Sequence, residues 1–562
     1  MKKIVILLGI SLLIIIFVVI TLMVIKNGSN ESVEIYGKYD EKDLDITIPG
    51  IFNSSIKLSN DGVEILGSGA SASGSIVKIN SSGVYNIYGT MEQGQIVIDV
   101  SKDLDVRLIL NNVSISNNDV APIYVKSSKK TIITLADGTK NFIKDERSGD
   151  KSDENGTIFS KGNLTINGNG SLEIYTSYKD GVVCKDNLKI IGASVSVVAA
   201  DDGIRGNESI SIKNASIDII SNGDAIKSNK DDNTKKVGNI FIEDSDINII
   251  TGGGNKGNSL NSSQKNITSD NEESKKGIKA SNLVSIVSGT IQIDSYDDSI
   301  HSNKDIYIYD GNIVLNSGDD GVHADKSLII NGGNIDIKES YEGLESENIT
   351  INSGIIHIVS FDDGINICSQ NEISSIQNKA KNNNFKNRLL ITGGYVVVDA
   401  LGDGLDSNSN IYMSGGVVIV NGPTSNKDSP IDYDGSFEIT GGILVAAGSQ
   451  GMFQSTSNSS TQCSIMYYFG GEQESGSIVN VQDNSRNSII TFSPTKPYSA
   501  ILISTPEIKL DCSYKIYFGG SIKGESSDGI YFGDDYEKGS KYISFTISNV
   551  NTVIGNKERL KH

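Results

Sequence analysis

The sequence predicts an all-β fold: a right-handed parallel β-helix of about 22 residues per coil with β-rich caps, preceded by one transmembrane helix. Three observations carry that prediction. The chain is rich in Gly and Ile and has no Trp; an acid-small-aliphatic motif recurs at steps of 22 residues; and one long apolar run opens the sequence.

Composition narrows the field first. With 562 residues, 37% of them hydrophobic, the chain can bury one large core, and 59 Gly against 7 Pro imply frequent tight turns. The formal charge of −20 argues against nucleic acid as a partner, because that binding rests on Lys and Arg displacing counterions from phosphate, and it suits cations instead.

Between Lys3 and Lys26 lie 22 uncharged, almost wholly apolar residues, 4–25, and a helix needs roughly 20 to cross the hydrocarbon. Lys2 and Lys3 favour the cytoplasmic side, and no small-x-small cleavage site follows. An uncleaved anchor is therefore expected over a cleaved signal peptide, giving a single-pass cell-membrane protein with its main domain extracellular. The expected domains are 1–29 (anchor or signal peptide), 30–441 (the β-helix) and 442–562 (a β-rich cap, where the repeat fades). Cys184, Cys368, Cys463 and Cys512 have no metal-ligand spacing; they read as isolated buried thiols, with a Cys463–Cys512 disulfide as the alternative.

The repeat is marked by the aliphatic residue that follows each acid-small pair: Val182, Ile204, Ile226, Ile278, Ile300, Val322, Leu344, Ile365 and Leu405. Two longer intervals each contain a polar insertion, "NKGNSLNSSQKNITSDNEESKK" and "SQNEISSIQNKAKNNNFKNR", which reads first as disordered. Weaker copies fall at Ile123, Ile158 and Ile431. Each coil divides into short stretches such as "SLIING", "GNIDIKES" and "YEGLES", too short to bury a face alone but able to build a continuous core when stacked. A propeller blade needs about 40 residues and a leucine-rich repeat needs its Leu and Asn ladder, so neither fits.

Stacking brings equivalent residues of successive coils to about 4.8 Å. Two before each marker stand Asp180, Asp202, Asp224, Lys276, Asp298, Asp320, Glu342, Asp363 and Asp403, and one earlier Asp201, Asp297, Asp319 and Asp362 double the charge. Neighbouring carboxylates at that spacing repel by roughly 3.5 kcal/mol at an effective dielectric of about 20. Ca²⁺, an ion of oxygen ligands, would offset this, and its expected ligands are Asp201, Asp202, Asp224, Asp297, Asp298, Asp319, Asp320, Glu342, Asp362, Asp363 and Asp403. The alternative is that Asp and Gly serve only as turn residues while solvent screens the charge.

From Ile204 onward the residue after each marker forms a second polar file: Arg205, Lys227, Lys279, His301, His323, Glu345, Asn366 and Asp406. His301 and His323 read as a surface pair, with a transition-metal site as the alternative. Tyr178, Tyr296 and Phe361, each four before its marker, are the candidates for stacking on sugars, with packing at the rim as the alternative; Arg205 and Lys227 are the cationic candidates.

The segments "GVYNIYGTMEQGQIVIDV", "VRLILNNVSISNNDVAPIYV" and "TIITLADGTKNFIKD", the repeated Asp-Asp-Gly-Ile corners, "LLITGGYVVVDALGDGLDSNS" and "SIITFSPTKPYSAILISTPEIKLDCSYKIYFGG" occur in this order. The chain thereby resembles, over nearly all of residues 35–552, the carbohydrate-binding domain-containing proteins of clostridial cell surfaces; Lys276 and Pro430 depart from the corner pattern. The resemblance implies a calcium-associated, pectate-lyase-like β-helix that binds polygalacturonate or cellulose. The function expected is non-catalytic binding of a polysaccharide, with Ca²⁺ bridging to uronate carboxylates. Two alternatives stand: a Ca²⁺-dependent polysaccharide lyase using Arg205, Lys227 or Lys279 as base, and a structural surface adhesin.

Overall fold

In the computed structural model, residues 34–149, 154–229, 238–255, 274–368, 387–531, 536–555 and 557 are described. Three short strands make each coil; in one coil they are Asn163–Gly168, Ser171–Thr176 and Asp180–Cys184, and in the next Asn187–Ile191, Ser194–Ala199 and Ile204–Gly206. Each strand pairs in parallel with its counterpart one coil on: Leu164 with Leu188, Leu172 with Val195, Val182 with Ile204. Repetition of these steps yields three parallel faces. The corner strands alone form a 15-stranded sheet among the described residues.

The core follows from alternation within these strands. In "SIDIIS", Ser216–Ser221, Ile217 and Ile219 point in while Asp218 and Ile220 point out. Ile217 continues a buried file that runs Leu172, Val195, Ile217, Ile247, Ile291, Ile313 and Ile335 from coil to coil. Each such side chain contributes about 1.5–3 kcal/mol. The markers form a second buried file, in register from Ile123 and Ile158 through Val182 to Leu405 and Ile431.

Turns need glycine for two different reasons. Gly333 has a φ of +89° and lies against the carbonyl of Gly311, its equivalent one coil earlier, so it combines a left-handed backbone with a close approach. Gly343, between the acid and the marker, has no unusual φ; a Cβ there would lie 2.3 Å from Ile358 Cγ2 and 2.4 Å from the Gly364 carbonyl. The small residue of the motif is therefore a packing requirement.

At the far end, the strand Ile443–Gly448 pairs antiparallel with Tyr498–Ser504, which covers the edge of the last coil. Beyond it a 6-stranded sheet packs through Tyr467, Phe469, Phe492, Tyr498 and Phe518.

One term of the expected fold class is corrected. Among the described residues no helix is long and apolar enough to cross a membrane, the α-helix there being the four-residue Glu41–Leu44. The observed architecture is all-β with long parallel sheets, and the transmembrane helix, the membrane contact through residues 4–25 and the single-pass localisation built on them are unsupported. Residues 1–29 lie outside the described residues, as does most of each polar insertion (256–273 and 369–386).

Candidate functional site

The acids two before each marker have a structural task. Apart from Glu342, which accepts instead from Asn366, one oxygen of each accepts the backbone N–H of the same position one coil on: Asp180 from Asp202 (3.2 Å), Asp202 from Asp224 (2.9 Å), Asp224 from Lys276 (2.8 Å) and Asp298 from Asp320 (3.1 Å). The same bond runs from Glu342 to Asp320 (3.3 Å) and from Asp403 to Asp363 (2.7 Å). The corner is a ladder in which a carboxylate caps a turn amide of the next coil. Its other oxygen is left facing the second polar file.

That file holds Arg205, Lys227, Lys279, His301, His323, Glu345, Asn366, Asp406 and Asp432 in register. Its charge changes sign along the solenoid, and the acids beside it respond. In the first half, Lys227 Nζ sits 3.0 Å from Asp202 and 2.8 Å from Asp224, Lys279 3.8 Å from Asp224, and Arg205 4.0 Å from Asp180. Lys276, the departure from the acid pattern, reaches forward to Asp297 (2.7 Å) and Asp298 (2.5 Å). Burial acts to lower the Lys276 ammonium, but the Asp298 and Asp297 carboxylates together outweigh it and hold it charged. Burial likewise acts to raise Asp298, and Lys276 with His301 keeps it well below the usual carboxylate range. At Asp224 and Asp298 the repulsion expected from stacked acids is offset by the chain's own cations, whereas burial and the neighbouring Asp224 and Asp201 still push Asp202 up to about 6 against the pull of Lys227.

Histidines occupy the middle. His301 Nδ1 lies 2.8 Å from Asp298 Oδ2, and the His301 and His323 rings stand 4.9 Å apart, edge to face. His323 Nδ1 faces Asp320 Oδ2 at 3.2 Å, Glu345 Oε2 at 3.3 Å and Asp298 Oδ2 at 3.7 Å.

The second half is uncompensated. Among the described residues no Lys or Arg comes within ion-pair distance of Glu342, Asp363, Asp403, Asp406 or Asp432. Burial, reinforced by the neighbouring carboxylates, pushes Asp363 up to about 8, Asp406 to about 7 and Asp403 to about 6, and drives Glu342 well above its ordinary value. Asp403, Asp406 and Asp432 bring carboxylate oxygens within 4.8 Å of one another. Asn366, 8% exposed, donates to Glu342 Oε2 at 2.8 Å and leaves its own buried Oδ1 without a hydrogen-bond partner beside these acids. All-oxygen donors, missing countercharge and an orphaned acceptor fit a hard cation such as Ca²⁺. At the opposite end Asp180, Asp201 and Asp202 form a similar trio, with Asp180 raised to about 8 by burial and by the charges of Asp202 and Asp201 against the pull of Arg205.

Of the expected metal ligands, the structure thus sets Asp202, Asp224, Asp297 and Asp298 against lysines, clusters Asp297 and Asp298 with Asp319, and leaves Glu342, Asp363 and Asp403 without cations; Asp320 faces His323, and Asp362 stands half-buried beside Asp363. Of the expected sugar contacts, Arg205 and Lys227 are held in ion pairs, the Arg147 guanidinium covers the Tyr178 ring at 4.2 Å, Lys275 lies 4.5 Å over Tyr296, and Phe361 is half-buried. Sequence reasoning did not select Asp406 and Asp432 as ligands, although both lie in the file it named or in its next coil. It also passed over an outward ladder, Tyr175, Val198, Ile220 and Ile250, flanked by Ser196, Asp218, Asn248 and Gln292. An open groove of about 410 Å³ runs along its later part, lined by Asp218, Ile220, Asn248, Ile250 and Gln292. The signal was present as an aliphatic residue at an outward position of successive coils.

The four cysteines are free thiols: Cys184 and Cys463 buried, Cys368 half-buried and Cys512 exposed.

Comparison with known proteins bears on this arrangement. Residues 73–321 match the family model described as "Carbohydrate-binding domain-containing protein". A curated relative of the same description from Acetivibrio thermocellus is 36% identical over 156 residues, 27% of this chain and 54% of the relative. The chain thus spans about half the length of the curated relative it matches. A solved structure described as the polysaccharide lyase-like protein from C. thermocellum, gadolinium derivative, matches with 27% identity over 53% of this chain and 96% of that one, at a TM-score of 0.36.

Proposed function

We propose, from the premise that residues 73–321 carry the pattern of the carbohydrate-binding domain family, that this chain binds a polysaccharide without cleaving it. We further propose that Ca²⁺ held at its uncompensated acidic coils recruits the carboxylates of an acidic glycan such as polygalacturonate. The observation that carries the calcium reading is the contrast between the two halves of one ladder. In the first, Lys227, Lys276 and Lys279 stand against Asp202, Asp224, Asp297 and Asp298, whereas Glu342, Asp363, Asp403, Asp406 and Asp432 have no such partner and Asn366 Oδ1 stands open. These coils continue the matched segment in unbroken register past residue 321.

Asp403, Asp406 and Asp432 would hold the ion, with Asn366 as the neighbouring neutral acceptor. Ca²⁺ takes six to eight oxygens, so three side chains leave positions for water or for uronate oxygens, and the ion supplies the attraction that a chain of net charge −20 lacks for an acidic polymer. The outward ladder around Ile220 and Ile250, with Asp218, Asn248 and Gln292 beside it, offers the mix of apolar contact and hydrogen bonding that a pyranose ring takes, which suits a cellulosic glycan.

Non-catalytic binding is favoured over β-elimination by the placement of the bases. Lys279, the last lysine of the second file, stands five coils from Asp406 in the register, about 24 Å at one strand spacing per coil. It faces Asp224, where burial and ion pairing hold charges in place. The test is calorimetric titration of the chelated chain with Ca²⁺, then with polygalacturonate with and without the ion, while following ultraviolet absorbance for unsaturated uronate. Calcium uptake with calcium-dependent polymer binding and flat absorbance is expected. Rising absorbance would make the protein a lyase, and absence of calcium uptake would reduce the acids to their turn-capping task.

A further inference from the structure

We propose that Asp320, His323 and Glu345 form a second cation site, distinct from the oxygen-only coils, that takes a divalent first-row transition metal of the Zn²⁺ class. The three come from successive corners: Asp320 precedes the marker Val322, His323 follows it, and Glu345 follows Leu344 one coil on, paired with His323 in register. Their donor atoms already converge. His323 Nδ1 is 3.2 Å from Asp320 Oδ2 and 3.3 Å from Glu345 Oε2, and all three donors lie within 4.8 Å of one another. Metal bonds of about 2.0–2.2 Å in tetrahedral geometry require ligand-to-ligand edges of about 3.3–3.6 Å. The two edges at His323 are therefore close to those of a tetrahedral site, and the Asp320 and Glu345 donors stand within 4.8 Å of each other.

The remaining lone pairs are occupied so as to aim these atoms inward. Asp320 Oδ1 accepts the Glu342 N–H at 3.3 Å, leaving Oδ2 for His323. Glu345 Oε1 accepts from Cys368 Sγ at 2.7 Å, leaving Oε2. His323 Nε2 faces Asp325 Oδ1 at 3.5 Å, the position of the carboxylate that fixes the ring of a metal-bound histidine. Asp298 Oδ2, 3.7 Å from His323 Nδ1, is already engaged by Lys276 and His301 and so borders the site rather than completing it. A fourth position is left to water or to a ligand.

Charge and donor type both select the class. Two carboxylates balance a dication once His323, whose ring the Asp320, Asp298 and Glu345 carboxylates otherwise keep protonated, gives its Nδ1 proton to solvent on binding. The nitrogen donor favours Zn²⁺, Ni²⁺ or Cu²⁺ over Ca²⁺, whose ligands are oxygens. The His323 and Glu345 side chains each keep 17% exposure, enough for entry from solvent.

The experiment uses the full chain, freed of metal by chelation and then held in excess Ca²⁺ to fill oxygen-only positions. It is titrated with ZnCl₂ by calorimetry, and with CoCl₂ while recording the visible spectrum. One Zn²⁺ per chain is expected, with the intense visible bands of tetrahedral cobalt. His323→Gln and Glu345→Gln should each weaken uptake at least tenfold, with thermal melting confirming that both remain folded, while His357→Gln, a histidine paired instead with Asp528, should leave it unchanged. No uptake by the wild-type chain overturns the proposal, as does undiminished uptake in both His323→Gln and Glu345→Gln.

Discussion

The acidic coils should make stability fall as pH rises, provided calcium is withheld. A carboxyl whose pKa is higher in the folded chain than in the unfolded one binds its proton better when folded. The stability it contributes is present in acid and disappears between the unfolded value and the folded one. Asp363 moves from 3.8 to about 8, so the window runs from about pH 4 to 8, and Asp406, at about 7, and Asp403, at about 6, act in the same direction. Between pH 5 and 8 Asp363 alone spans roughly three units at 1.36 kcal/mol each, about 4 kcal/mol, and solvent screening of a half-buried group trims this to about 2–4 kcal/mol. The three acids share the same mutual repulsions, so this figure serves for the stretch. A folded unit of about 500 residues has an unfolding entropy near 1 kcal/mol/K, which converts the loss to a fall in Tm of about 2–4 °C. Calcium at 100 times its Kd would return about 2.7 kcal/mol. Differential scanning calorimetry at pH 5, 6.5 and 8, in chelator and in Ca²⁺, reads both effects, and Asp363→Asn should make the chelator series shallower while keeping the turn bond to Asp403. A Tm that is level or rising with pH in chelator would refute the reasoning.

Three further outcomes follow from the same geometry. Lys276→Met strips Asp297 and Asp298 of their ammonium partner and should cost about 3–5 kcal/mol, seen as a fall in Tm of several degrees; a melt within 1 °C of wild type would contradict the pairing. Gly343→Ala puts a Cβ 2.3 Å from Ile358 Cγ2 and should cost about 1–3 kcal/mol by chemical denaturation, whereas an unchanged midpoint would show that the corner has slack. Asp406→Asn combined with Asp432→Asn should weaken calcium-dependent polygalacturonate binding at least tenfold in a sedimentation assay, while Lys227→Gln, in the neutralised half, should leave it near wild type; equal losses in both would place binding elsewhere.

The coil was legible because each corner enforces the same three demands: an acid to cap an amide, a residue small enough to pass under the next coil, and an aliphatic chain for the core. Those demands leave the recurring triplet from Val182 to Leu405. The two polar files followed from counting back or forward from the marker. What spacing does not carry is which neighbour a long side chain chooses. Lys276 reads as a break in the acid pattern, yet its flexible stem brings the ammonium to Asp297 and Asp298 one coil on. Asp406 was missed as a ligand for a related reason: the file after the marker reads as a polar rim, and only folding shows that it lies beside Asp403 closely enough to share a cation. The N-terminal apolar run illustrates the opposite case, a pattern strong in sequence for which the described helix offers no support.

The acid-to-amide ladder also bears on how such a chain lengthens. Each rung supplies an acceptor to the coil after it and a donor to the coil before, as Asp202 does between Asp180 and Asp224. A duplicated segment of one coil's length therefore brings both halves of the joint it interrupts. Insertion at a corner needs no new interface to be invented, only a residue in the second file to decide whether the added rung is neutral or charged. Successive duplications, each settling that choice separately, would leave a ladder whose rungs differ in charge and diverge in what they attract.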